Sequence, residues 1–328
     1  MKAFAYERPT TVEEALGLVA DGGTFLAGGT NLVDHLRLGI RSADRLVDIT
    51  RLPLDVITER ADGGLVVGSG VRNSDLAAHP LVRTRYPFVT QALVAGASGQ
   101  LRNMATTGGN LLQRTRCVYF QDPTTPCNKR EPGSGCSAVD GFGRYNAIIG
   151  TSDACVATHP SDLCVPLAAL DAEVVVVGPV GERRIAFADF HRLPGDRPDL
   201  DTTLEPGELV LAVEVPPLDF AVRSRYRKVR ERASYAFALV SVAAALDLDG
   251  GVVRDVRLAL GGVSHRPHRA SLAEELLRGG PATPEQFRTA IEAELAVASP
   301  GEHNAFKVPL LRNTVVDVLT GLAEGSAA

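Results

Sequence analysis

What the chain lacks narrows its function before any motif is read. It has no basic excess: 34 Lys and Arg stand against 39 Asp and Glu, a net charge of −5. A general nucleic-acid binder carries a strong surplus of basic residues. It also has no long apolar run. A spanning helix needs about 18 apolar residues, and the best candidate, Phe237–Leu246, is short and contains Ser241. No membrane insertion is expected. Met1–Pro9 holds no apolar signal core, so this chain is expected to carry no export signal of its own. That leaves the cytoplasm, or the periplasm if a signal-bearing partner subunit takes the chain across. Neither an internal repeat nor a low-complexity segment is evident, and only the tail from Glu324 to Ala328 reads as frayed.

Cysteine is absent except in one stretch. All five, Cys117, Cys127, Cys136, Cys155 and Cys164, fall between positions 117 and 164. Disulfides of a secreted fold are not confined in this way, and an odd count leaves one thiol unpaired. The spacing C-x9-C-x8-C-x18-C-x8-C contains no CxxC pair, which excludes a zinc ribbon or a ferredoxin signature. Gathered thiolates suit a soft metal or an iron–sulfur cluster; buried structural thiols are the alternative. Arg116–Cys136 has little hydrophobic periodicity and contains three Pro and two Gly. It reads as a long loop, of a kind that is usually functional or disordered. Thiolates bound to iron would hold it without a core of its own.

The rest of the chain is ordinary for a folded protein. At 45% hydrophobic and 22% charged residues it is not a disordered chain, and 328 residues correspond to roughly two domains. Thr11 followed by Glu14 reads as a capping box opening a helix to about Ala20. A strand Thr24–Leu26 and a helix from Asn31 to Gly39 follow, then strands at Leu46–Ile49 and Leu65–Gly68. Ser74 is a candidate cap for a helix over Asp75–His79, and Pro87–Ala97 reads as another helix. Glu173–Val177 is a β-branched buried strand. Beyond a boundary near Pro216-Pro217, three strand-like runs (Arg225–Arg230, Leu239–Leu248, Val252–Leu260) precede helical patterns at about 270–278, 284–297 and 305–322. Strands followed by helices indicate a separate α+β domain.

Two glycine loops look alike: Ala27-Gly28-Gly29-Thr30-Asn31 and Thr106-Thr107-Gly108-Gly109-Asn110. Paired glycines let backbone N–H groups turn toward an anion, and Thr and Asn add donors. Two such loops could hold both phosphates of a dinucleotide. A lone paired-glycine loop is more often a tight turn, and neither loop matches a Rossmann or P-loop pattern.

These residues carry a resemblance. Phe25–Leu32, Gln100–Asn110, Ala157–Asp162 and Lys228–Ser234 together resemble the medium, FAD-binding subunit of the molybdenum hydroxylases, the xanthine dehydrogenase and aldehyde oxidoreductase family, nearly end to end. The cysteine loop is similar to that of the periplasmic-type aldehyde oxidoreductase branch, whose flavin subunit carries a [4Fe–4S] cluster in an insertion at this point. The resemblance implies an α+β fold. Residues 1–217 would be a two-part FAD-binding domain of the vanillyl-alcohol-oxidase type, with subdomains of about 1–55 and 56–217 and an insertion of about 112–156. Residues 218–328 would form a smaller α+β domain with a three-stranded sheet and helices.

It also implies roles. Leu26, Ala27, Gly28, Gly29, Thr30, Asn31 and Leu32, with Thr106, Thr107, Gly108, Gly109 and Asn110, would bind FAD around its diphosphate. Asp162 would accept hydrogen bonds from the flavin's polar chain; its alternative is the N-cap of a helix over Leu163–Leu170. Lys228 would stabilise a reduced, anionic flavin; its alternative is a solvated charge among Arg223, Arg225, Arg227 and Arg230. For the cluster, Cys117, Cys127, Cys136 and Cys155 are chosen, four being the usual number. Cys164 is set aside for its apolar surroundings, as a buried small hydrophobe, though it could stand in for Cys155. Arg114, Arg116, Lys129 and Arg130 would offset cluster charge or face a partner. His159 reads as structural or a flavin neighbour, and His265 and His268 as a surface turn.

The implied function is electron transfer. A molybdenum-cofactor large subunit would oxidise the substrate, a [2Fe–2S] small subunit would relay electrons to FAD here, and an external acceptor would receive them. The alternatives are the flavin subunit of a hydroxybenzoyl-CoA-reductase-like or xanthine-dehydrogenase-like complex, or a metal-stapled structural subunit that has lost its flavin.

Overall fold

The structure, a computed structural model, describes residues 2–325; Met1 and residues 326–328, most of the tail read as frayed, lie outside it. The first layer is a small parallel sheet. Strand β1 (Ala5–Glu7) leads to helix α1 (Val12–Ala20), β2 (Thr24–Leu26), helix α2 (Leu32–Leu38) and β3 (Arg45–Asp48), in the order β1-β3-β2. The predicted start of α1 is present: Thr11 Oγ1 accepts from Glu14 N at 3.2 Å. Glu14 closes the box one residue further back, accepting from Thr10 N. Gly39, at φ +73°, ends α2 in the left-handed conformation that glycine tolerates.

An antiparallel five-stranded sheet is built from β4 (Ile57–Glu59), β5 (Leu65–Gly68), β6 (Glu173–Gly178), β7 (Gly181–Ala186) and β8 (Leu209–Val215), in the order β4-β5-β8-β6-β7. The long excursion between β5 and β6 carries helices α3 (Asn73–Ala78), α4 (Pro80–Arg85), α5 (Pro87–Ala95), α6 (Gly99–Arg102), α7 (Thr107–Leu111), α8 (Val118–Gln121) and α9 (Cys164–Ala169). Ser74 does not cap α3; the helix starts at Asn73 without a side-chain cap. A one-turn helix, α10 (Phe187–Phe190), follows β7.

The C-terminal part has three long antiparallel strands, β9 (Ser224–Val229), β10 (Val240–Asp249) and β11 (Val252–Gly261), with a two-residue edge strand β12 (His268–Arg269). Helices α11 (Ser271–Leu277), α12 (Pro284–Glu294) and α13 (Lys307–Ala323) cover one face. Strand β10 explains why Phe237–Leu246 is the most apolar run in the chain. Val240, Val242, Ala244 and Leu246 pack toward α11–α13, whereas Ala243 and Ala245 join the core formed with α9 and the five-stranded sheet. Both faces are covered, so alternation disappears. Among the described residues no helix is long and apolar enough to cross a membrane.

Candidate functional site

The first glycine loop runs from the end of β2 into α2. The backbone N–H groups of Gly28, Gly29, Thr30 and Asn31 find no acceptor among the described residues. Gly29 sits at φ +72°, and a Cβ on Gly28 would run into the Met104 carbonyl. Only glycine permits that approach. The loop therefore presents a row of unpaired donors over a wall formed by the chain at 104–105, which suits an anionic diphosphate.

The second loop is not its equivalent. Thr107 N and Gly108 N donate to Val71 O and Ser69 O, each at 2.8 Å, and Asn110 N donates to Thr106 O at 2.8 Å. Gly109 N is taken by Thr106 Oγ1 at 3.2 Å. Its amides are spent in anchoring α7 to the segment after β5, and Gly108 has no room for a Cβ beside Ser69. The anion-cradle reading thus fits the first loop through free amides, while the second loop forms supporting wall. The two asparagines brace as well. Asn31 Oδ1 accepts from Arg114 N at 3.1 Å, and Asn110 Oδ1 accepts from Ser161 Oγ at 2.6 Å.

Ser161 carries the seam onward. Its Oγ also accepts from Cys164 N at 3.1 Å, and Asp162 does not cap α9, whose N-cap is Leu163 without a side-chain cap. Asp162 instead accepts from Lys228 Nζ at 2.7 Å and from Tyr226 OH at 2.5 Å. Lys228 is no solvated charge: it is buried against Asp162 and also donates to Ala95 O at 3.3 Å. Burial and the neighbouring Asp162 carboxylate push the Tyr226 hydroxyl well above its ordinary pKa. Tyr226 and Ser161 were missed by sequence reading. Tyr226 had a signal, since it lies two residues before Lys228 and so shares its face of β9.

The cysteines separate into a set and an outlier. Cys117, Cys127, Cys136 and Cys155 line one small cavity, together with Thr115, Tyr119, Phe120, Pro126, Lys129, Ala138 and Ala157. All five cysteines are free thiols. Backbone amides are aimed at the sulfurs: Tyr119 and Phe120 toward Cys117, Ala138, Val139 and Val156 toward Cys136, and Ala157 toward Cys155. The Cys155 thiol donates to Cys136, holding Cys136 down to about 6 and Cys155 up. Burial pushes Cys117 up. The loop is less irregular than its sequence: Cys127 and Cys136 pair as an antiparallel bridge, and Asn128 N donates to Gly135 O at 2.7 Å.

Cys164 lies in the apolar core around α9, where burial raises its thiol to about 12. It sits beside His159 and His191, the three offering side-chain atoms within 4.8 Å of one another. This trio does not fit a metal. His159 Nδ1 accepts from Ser161 N, which leaves the ring proton on Nε2 and no lone pair to donate there. His191 Nε2 donates to Leu111 O at 2.9 Å.

The basic residues flanking the loop are engaged within the chain. Lys129 is buried and donates to Pro198 O and Asp201 Oδ1, both at 2.6 Å. Arg114 reaches Asp201 Oδ2 at 2.5 Å. Arg130 binds the carbonyls of Tyr119, Phe120 and Thr125, and Arg116 stacks on Phe237 at 5.2 Å. His265 and His268 are not a surface turn. His265 is buried with Nε2 at 3.2 Å from Cys155 Sγ, and His268 meets Glu294 at 2.7 Å.

Comparison with known proteins agrees with this geometry. Residues 2–218 match the FAD binding domain in molybdopterin dehydrogenase, and residues 224–322 match the CO dehydrogenase flavoprotein C-terminal domain. The chain is 50% identical over 323 residues to the aldehyde oxidoreductase FAD-binding subunit PaoB of Escherichia coli (strain K12), covering 97% of this chain and 98% of that one. It is 28% identical to the glyceraldehyde dehydrogenase medium chain of Sulfolobus acidocaldarius, covering 97% and 95%. The structure of carbon monoxide dehydrogenase from Hydrogenophaga pseudoflava superposes with a TM-score of 0.76 at 25% identity, covering 100% and 99%. Quinoline 2-oxidoreductase of Pseudomonas putida 86 shares the fold, with the same TM-score, at 24% identity over 99% of each chain. Sequence, fold and the arrangement of the glycine loops lead to one conclusion: the chain belongs to the family of FAD-binding subunits of the molybdopterin dehydrogenases.

Proposed function

We propose that this chain is the FAD-bearing electron-transfer subunit of a molybdenum-dependent aldehyde oxidoreductase, and that its cysteine loop holds a [4Fe–4S] cluster. The observation that carries the flavin assignment is the row of unpaired amides at Gly28–Asn31, held close over the chain at 104–105. Half of the residues being identical to an aldehyde oxidoreductase FAD-binding subunit supports the choice of substrate class. Bound FAD would store two electrons and release them to an external acceptor. Toward it, the amides of Gly28, Gly29, Thr30 and Asn31 would neutralise the diphosphate. Leu26, Ala27, Leu32 and Thr106–Asn110 would shape the cleft. Asp162 would offer its remaining lone pairs to hydroxyls, and Lys228 would hold a cation where the ring system gains negative charge. Substrate oxidation is assigned to a molybdenum-cofactor large subunit, and delivery of electrons to a [2Fe–2S] small subunit.

Four features support the cluster. The four thiols share one cavity, amides point at their sulfurs, the fifth cysteine stays in the core, and Lys129 lies at the cavity wall with its charge balanced by Asp201. Convergent sulfurs with amide donors are what a cuboidal cluster requires. The test is the visible spectrum of anaerobically purified protein with FAD, iron and acid-labile sulfide quantified per chain. About one FAD with roughly four iron and four sulfide supports both assignments. FAD without iron sinks the cluster and leaves the flavin, and iron without FAD does the reverse.

A further inference from the structure

We propose that His265 is a positioning residue for the iron–sulfur site, donating a hydrogen bond from its Nε2–H to Cys155 Sγ and thereby setting the site's reduction potential. This rests on the cluster reading above. Nε2 and Sγ are 3.2 Å apart, and the two residues are 7% and 4% exposed. A metal-bound cysteine sulfur has no proton and can only accept. The ring proton of a neutral His265 must therefore sit on Nε2. The other nitrogen agrees: Nδ1 is buried and has no partner, as a bare acceptor facing no donor would be.

The donor is held from outside the cysteine loop. His265 follows β11, 110 positions beyond Cys155. Its neighbours are fastened to the chain on both sides of that cysteine. Val263 O accepts from Ile148 N at 2.9 Å and Ile149 N at 3.0 Å, and Ser264 O accepts from His159 N at 2.9 Å. Arg266 Nη1 donates to Ala188 O at 3.0 Å. The imidazole is thus placed by backbone bonds between the segment after β11 and the chain flanking Cys155.

The consequence is electrostatic. One added electron increases negative charge on the cluster sulfurs, and an N–H donor stabilises that reduced state, raising the potential. The Ala157 amide also faces Cys155, and His265 adds a side-chain donor to that sulfur.

The experiment is an EPR-monitored redox titration of the intact chain, purified anaerobically, comparing wild type with His265→Leu and His265→Gln. Glutamine can place its amide N–H where Nε2–H was; leucine cannot. The expected result is wild-type iron, sulfide and FAD content in both variants, a more negative cluster potential in His265→Leu, recovery toward wild type in His265→Gln, and an unmoved flavin potential. An unchanged cluster potential in iron-loaded His265→Leu overturns the proposal, as does an equal shift in both variants. Loss of iron from both makes His265 a ligand or a structural prop and also overturns it. A wild-type chain without iron or sulfide instead defeats the cluster reading itself, and this inference falls with it.

Discussion

Lys228 and Asp162, 66 positions apart in sequence, form an ion pair at 2.7 Å with side chains only 4% and 10% exposed. Tyr226 OH donates to the second carboxylate oxygen, so both oxygens of Asp162 are held from β9. Removing one member of a buried pair strands the other charge, at a cost of roughly 3–5 kcal/mol. Lys228→Met is therefore expected to lower the midpoint of denaturant unfolding strongly and to reduce FAD content. Asp162→Asn combined with Lys228→Met should lose less than the sum of the single losses, because the double variant leaves no stranded charge. Additive losses in that cycle would show that the pair is not coupled.

The first glycine loop makes a sharper claim about space. A Cβ at Gly28 collides with the Met104 carbonyl, while a Cβ at Gly99 in α6 meets nothing within 4 Å. Gly28→Ala should weaken FAD binding at least about tenfold, or roughly 1.4 kcal/mol. Gly99→Ala, in a helix, should leave FAD binding alone and stabilise the chain by up to about 1 kcal/mol. Fluorescence titration of FAD into stripped protein checks both. Wild-type affinity in Gly28→Ala would remove this loop from the site.

The cysteines make a prediction by exclusion. Serine at Cys117, Cys127, Cys136 or Cys155 should cost the bound iron, since these line one cavity. Cys164→Ala should keep it and lose roughly 1–2 kcal/mol of stability from the void left in the core. Iron and sulfide analysis decides. Iron retained in Cys155→Ser and lost in Cys164→Ala would exchange the two assignments.

Local chemistry was the legible part. The Thr11 cap, the glycine stop at Gly39 and the β-branched β6 each follow from neighbours in sequence, and the structure shows all three. The glycine pairs marked both loops, yet nothing in Ala27–Asn31 or Thr106–Asn110 says which amides are already taken. That depends on Ser69 and Val71, which arrive from after β5. Asp162 illustrates the same limit. Its position before Leu163 suited a helix cap, but the neighbouring hydroxyl of Ser161 meets the Cys164 amide and a strand 66 residues away took the carboxylate. His265 meets Cys155 through chain topology alone, so an H-x-x-H pattern without nearby ligands looked like surface.

Lys307 gives the prediction with the clearest sign. It is fully buried at the start of α13, donating to Asn146 O at 2.8 Å and Gly262 O at 2.7 Å. No carboxylate within salt-bridge distance balances it among the described residues, and Arg144 is a nearby like charge. Burial first, then Arg144, lowers its pKa from 10.5 to about 7. Below about pH 7 folded and unfolded chains both hold the proton, and the cost of burying the charge is constant. Between about 7 and 10.5 the unfolded chain binds a proton that the folded chain does not, so stability rises with pH. Tyr226, whose pKa is raised by burial, opposes this only above the ordinary tyrosine value of about 10. Unfolding midpoints measured from pH 6.5 to 9.5 should climb in wild type, by an amount of roughly 2–3 kcal/mol. In Lys307→Met that rise should be smaller by about this amount but not absent, because Cys136, held down to about 6, adds a rise of the same sign between about pH 6 and 9. A slope of equal size in both proteins would assign the pH response to other groups and return Lys307 to a neutral role in the packing of α13 against Asn146.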